Sequence, residues 1–183
     1  MVMSIEFDGE AGTYLLTPST GNEGYPMIED IPLEDLYGDA RIIYIPKKAL
    51  EKITADEVRK ALEEARYQKG EILLLRTGWG DSPEIYAKWY NKEYVFKTPV
   101  LTEEASQVIA DLGLRTFGTD MATLCRLNTT EFMEYRILDQ KLINMVMCLV
   151  NLNSIKTNKV TFSALPLRVE MTSCPVRAVA IIG

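Results

Sequence analysis

Residues 70–81 read Gly70-Glu71-Ile72-Leu73-Leu74-Leu75-Arg76-Thr77-Gly78-Trp79-Gly80-Asp81. Four apolar residues in a row, bounded by glycine on one side and a glycine-rich turn on the other, read as a buried strand over Glu71–Arg76. Upstream, Thr54 to Gln68 has an apolar face of Val58, Leu62 and Ala65. Thr54 with Glu57 three residues on forms a capping box, and Gly70 is placed to end the helix. A strand before it, Arg41–Ile45 (RIIYI), completes a strand–helix–strand unit.

The pattern continues downstream. Pro83–Asn91 reads as a short helix, Thr102–Leu112 as another with Thr102 as N-cap, and Arg115–Gly118 as a short strand. Asn128–Asp139 reads as a helix with Asn128 and Glu131 as its capping pair. β-rich stretches follow at Ile143–Leu149, Lys159–Ala164, Leu167–Met171 and Val176–Ile182. Residues 18–39, rich in Pro, Gly and acidic residues, read as an extended loop with one turn of helix, functional or a packing arm. Alternating strands and helices with a β-rich end indicate an α/β or α+β domain built on a mixed sheet. At 183 residues the chain is expected to form one domain, 1–183.

Composition narrows the chemistry. The 20 Lys+Arg stand against 26 Asp+Glu, and a net charge of −6 argues against a nucleic-acid partner. Three scattered cysteines without a C-x-x-C pair suit a reducing compartment. No signal peptide or bilayer-length apolar run is visible, so the expectation is a soluble, cytoplasmic protein without a membrane partner. There is no histidine, which excludes Ser-His-Asp and Cys-His catalysis and any imidazole-held metal. No phosphate loop is present beside Gly78 and Gly80. Cys125 is a candidate nucleophile that no histidine can activate, and its plain reading is an inert core thiol.

Four segments together resemble the cyclase / kynurenine-formamidase-like family of metal-dependent hydrolases. They are Gly70–Trp79, similar to G-D-x-(V/L)-L-(I/L)-R-T-G-W; Gly118-Thr119-Asp120, similar to G-(I/T)-D; Leu149-Val150-Asn151-Leu152; and Leu165-Pro166-Leu167-Arg168 with Cys174-Pro175-Val176-Arg177-Ala178-Val179-Ala180. The resemblance spans residues 9–183 and implies a swivelling β/β/α domain, a mixed sheet flanked by helices. It also implies hydrolysis of a small amide, lactone or other acyl bond, and a dimer or tetramer. With nine residues ahead of Glu10, it implies a shortened N-terminus.

The family's metal motif, H-x-G-T-H-x-D-x-P-x-H, falls on Glu10–Thr20 (EAGTYLLTPST). Gly12, Thr13 and Pro18 match. The metal-binding positions carry Glu10, Tyr14 and Leu16, and the last histidine position carries Thr20. The family's further histidine falls at Glu134 or Tyr135, and its glutamate ligand at Met147. The expectation is therefore a divergent member with no metal and no cofactor, whose Tyr14 and Leu16 pack into the old cavity. It would bind a small acyl or carboxylate ligand, or serve as a structural homo-oligomer with 18–39 as contact arm. If it is catalytic, Glu10, Asp120 and Glu134 are candidate bases and Tyr14 a candidate acid or oxyanion donor. Thr13, Thr20, Tyr135 and Arg168 are candidate ligand contacts, with ion pairing the plain use of Arg168 and turn capping that of Asp120.

Overall fold

A computed structural model describes residues 6–19, 24–81, 92–127 and 131–183. Its strands are β1 (Tyr14–Leu16), β2 (Tyr37–Tyr44), β3 (Lys52–Ile53), β4 (Ile72–Arg76), β5 (Val100–Leu101), β6 (Thr116–Thr119), β7 (Asn144–Met147), β8 (Lys159–Ser163), β9 (Ser173–Pro175) and β10 (Val179–Ile181). Its helices are α1 (Ala55–Ala65), α2 (Lys92–Phe96), α3 (Glu103–Ala110) and α4 (Met133–Asp139). An eight-stranded sheet runs β10-β8-β2-β4-β6-β7-β1-β9, and β3 pairs with β5 separately. The centre, β2-β4-β6-β7, is parallel, and the outer strands are antiparallel. This is an α+β domain on a mixed sheet, as the alternating pattern implies.

The period-2 geometry of a strand sorts β4 onto two cores. Leu73 and Leu75 join one core with Ile43, Phe117 and Met145, covered by Val58, Leu62 and Ile109 of α1 and α3 and by Leu138 of α4. Ile72 and Leu74 join a second core with Ile42, Val146 and Phe162, covered by Ile28, Ile31, Leu36 and Leu152 from irregular segments. Each fully buried leucine of β4 contributes about 1.5–3 kcal/mol. Residues 27–36 thus act as the packing arm that closes the face the helices leave bare. Between β2 and β4, Arg41 Nε and Nη2 donate to Glu71 Oε2 and Oε1 at 3.0 and 2.7 Å.

The capping box forms as expected: Glu57 N donates to Thr54 Oγ1 and Thr54 N to Glu57 Oε2. Other boundaries differ. α1 ends at Arg66 in a left-handed conformation, not at Gly70, whose own φ of +94° serves the turn into β4. β2 starts at Tyr37, four residues before the expected strand, because β8 pairs with that extension and polar Gly38 and Asp39 hide the pattern. Among the described residues of the 18–39 stretch there are two 3-10 turns, Ile28–Asp30 and Leu33–Asp35, rather than the expected one. α4 begins at Met133 after left-handed Phe132, so Glu131 precedes the helix; Asn128, the other half of the expected capping pair, lies outside the described residues. The expected helix Pro83–Asn91 also lies outside them. Leu167–Met171 forms no strand, and β9 follows it at Ser173–Pro175, where β1 offers a free edge. Among the described residues no helix is long and apolar enough to cross a membrane.

Candidate functional site

The chain turns sharply after β4, and Asp120, just past the end of β6, holds that turn. Its carboxylate accepts from Thr77 N at 2.9 Å, Thr77 Oγ1 at 2.7 Å, Gly78 N at 2.9 Å and Gly80 N at 3.3 Å. Burial raises its pKa above the ordinary aspartate value, while the hydrogen bonds from Thr77, Gly80 and Gly78 oppose that shift. A Cβ on Gly80 would run into the Leu149 carbonyl and lie 2.7 Å from Asp120 Cβ. A Cβ on Gly118 would lie 2.6 Å from Leu74 Cδ2. These glycines are required by close packing. Trp79 extends the turn by stacking on Tyr94, with centroids 5.5 Å apart.

β1 pairs with β7 so that Tyr14 faces Met147 and Leu16 faces Met145. Alternation puts Tyr14, Leu16, Met145 and Met147 on the helix side, and Leu15 and Val146 on the other. Three positions that the resemblance assigns to metal ligands therefore converge, carrying Tyr14, Leu16 and Met147. Beside them opens a cleft of about 530 Å³, lined among others by Glu10, Tyr14, Leu16, Thr123, Phe132, Tyr135, Arg136 and Asp139. Tyr135 Oη accepts from Leu124 N at 3.1 Å and shares a hydrogen bond with Thr123 Oγ1 at 3.0 Å. Burial, then the Asp8 carboxylate, raises the Glu10 pKa. Burial also raises the phenols of Tyr14, Tyr94 and Tyr135, so all three are neutral at pH 7.

Of the expected site residues, the structure brings Glu10, Tyr14 and Tyr135 to this cleft. Asp120 holds the glycine turn instead. Of the two residues that the resemblance offers for the further histidine position, Tyr135 lines this cleft, whereas Glu134 lines a separate cleft of about 410 Å³ with Lys52 and Arg126. Thr13 faces away: its Oγ1 donates to the Cys148 carbonyl at 2.8 Å, and it lines a groove with Arg177 on the other side. Arg168 is exposed and does not line the cleft. Thr20 lies outside the described residues. Cys125 and Cys148 are buried, and burial first pushes their thiols up to about 11 and about 12, so neither is a thiolate at neutral pH.

Sequence reasoning missed Phe132, Arg136 and Asp139. With Tyr135 they stand at i, i+3, i+4 and i+7, one stripe along α4 and its entry. That spacing was legible, but it reads equally as a core face until the cleft is seen.

The donor set at the motif positions does not fit a divalent cation. Leu16 has no donor atom, Met147 offers a soft thioether, and the Tyr14 phenol is held neutral, leaving Glu10 as the single carboxylate. Among the described residues no group of three or more Cys, Asp or Glu could hold a metal ion.

Comparison with solved structures finds the same architecture. Isatin hydrolase A from Labrenzia aggregata, solved with benzyl benzoate, is 20% identical with a TM-score of 0.81, over 97% of this chain and 75% of that one. A potential metal-dependent hydrolase with cyclase activity is 22% identical with a TM-score of 0.78, over 97% and 81%. Isatin hydrolase A from Ralstonia solanacearum is 17% identical with a TM-score of 0.75, over 94% and 72%. At these identities the likeness speaks for the fold. No curated protein matches the chain. The family model described as "Putative cyclase" matches residues 2–124, more than half of the sequence, and the chain belongs to that cyclase family.

Proposed function

We propose that this chain is a small-molecule-binding member of the cyclase family that works without the family's divalent cation and without its hydrolase activity. The observation that supports it most is the convergence of Tyr14, Leu16 and Met147 on one face of β1 and β7, beside a cleft that stays open. An apolar and phenolic refill restores the contacts an empty cage would lose, and leaves room for a ligand next to it. Thermal unfolding with chelator and then with micromolar Zn²⁺ or Mn²⁺ tests the reading. The expected result is one unchanged melting temperature. A ligand at 100 times its Kd stabilises the native state by about 2.7 kcal/mol, so a rise of several degrees would overturn it.

A second reading is a hydrolase or isomerase of a small amide, lactone or other acyl compound. The raised pKa of Glu10 favours it, because a carboxylate shifted toward neutrality is a better general base, with the neutral Tyr14 phenol as hydrogen-bond donor. A panel of formamides, lactones and enol acids against wild type and Glu10→Gln decides. Turnover that Glu10→Gln abolishes replaces the first reading with this one. A dimer or tetramer in the cytoplasm belongs to the same proposal, with exposed Met27 and Leu33 of the packing arm as contacts. Light scattering that gives a monomer removes that part.

A further inference from the structure

Arg168 and Arg177, the arginines of the matched segments that could hold a carboxylate ligand, do not line the cleft. Its lining combines the aromatic rings of Tyr14, Phe132 and Tyr135 with two acids, Glu10 and Asp139, and one base, Arg136. Tyr14 of β1, Tyr135 of α4 and Phe132, the residue before α4, all line it. Phe132 is 39% exposed, so its ring is open to a ligand. The phenols are neutral and carry no charge of their own, but the face of each ring is negative. Glu10 adds a carboxylate to the lining, and its N–H donates to Asp8 Oδ1 at 2.9 Å, which holds a second carboxylate in the same short loop.

We propose that the cleft takes a small organic cation, an ammonium group carried on an apolar body. This rests on the reading of the cleft as a metal-free binding site. An ammonium ion meets ring faces and a carboxylate at once, which is the pairing that aromatic cages use. Among the described residues no group of three or more Cys, Asp or Glu is gathered to hold a divalent cation instead. The chain's net charge of −6 favours approach of a cation over an anion. Arg136, also in the lining, is exposed to water and offers the rival, a carboxylate ligand.

Three probes that share a benzyl group separate these outcomes: benzyltrimethylammonium, benzyl alcohol and phenylacetate, each titrated into the full chain and followed by NMR shifts. The cation is expected to bind roughly tenfold tighter than the other two. Glu10→Gln and Phe132→Leu are each expected to weaken it roughly fivefold while the melting temperature holds. Phenylacetate binding as tightly or tighter, and lost in Arg136→Gln, overturns the cation proposal and leaves the metal-free binding site standing. Benzyl alcohol binding as well as the cation also overturns it, since shape alone would then explain the site. Binding of none of the three overturns both this proposal and the binding reading beneath it.

Discussion

The glycine turn held by Asp120 and the cleft beside Tyr14 both lie where the cyclase resemblance places sequence motifs, and they have fared differently. In the turn the family pattern stands: Arg76-Thr77-Gly78-Trp79 and Gly118-Thr119-Asp120 are present, and one carboxylate serves the N–H groups of Thr77, Gly78 and Gly80. At the cleft, the positions that the resemblance assigns to metal ligands carry Glu10, Tyr14, Leu16 and Met147. The turn is a main-chain structure. Its geometry depends on a buried acceptor and on glycines without Cβ, so a replacement leaves orphaned donors or a clash. A ligand cage depends on side-chain identity alone. β1 keeps its ladder to β7 whether its side chains are histidine or tyrosine, so the cage can be refilled without disturbing the sheet.

Substitutions should separate the two regions by size of effect. Asp120→Ala leaves the buried N–H groups of Thr77 and Gly80, the part-buried N–H of Gly78 and the Thr77 hydroxyl without their acceptor, and is expected to lower stability by about 4 kcal/mol in urea unfolding. A loss under about 1 kcal/mol would break the contrast. Gly80→Ala is next, at about 3 kcal/mol, because the Leu149 carbonyl and Asp120 Cβ leave the added methyl no room. Tyr135→Phe removes the acceptor of Leu124 N and the partner of Thr123, and is expected to cost about 1 kcal/mol by the same measurement.

A pH titration sharpens the comparison from outside both regions. Burial alone would raise the Glu71 pKa, but hydrogen bonds from Arg41 and Gln68 outweigh it and hold the carboxyl below its ordinary 4.5. The folded-state pKa lies below the unfolded one, so this stabilisation is complete above about pH 4.5 and is lost as pH falls through the depressed value. Glu71→Gln is expected to flatten that part of the acid unfolding curve and to leave the Asp120 effect unchanged, since the two sites share no partner. Tyr14→Phe should be the smallest change, within about 0.5 kcal/mol, because no protein hydrogen bond to its hydroxyl is found among the described residues.

Much of the fold was legible. Leu73-Leu74-Leu75 announced a strand buried on both faces, and Thr54 with Glu57 fixed the start of α1, because both signals are local. What failed was nonlocal. β1, β9 and the early start of β2 exist because a neighbouring strand offers its edge, and Leu167–Met171 has the composition of a strand but no partner. Phe132 in a left-handed conformation delays α4, and a phenylalanine gives no warning of that.

The same division runs through the site. The sequence by itself determined that no imidazole chemistry is available and that the motif positions hold Tyr14, Leu16 and, further along, Met147, since these are matters of side-chain identity. Only the tertiary structure decided that Tyr135 and not Glu134 faces the cleft, that Asp120 secures a turn, and that Arg168 stands apart. Those are questions of direction. They depend on the helix face and strand register that packing selects, and a one-residue shift in either turns a side chain to the other side.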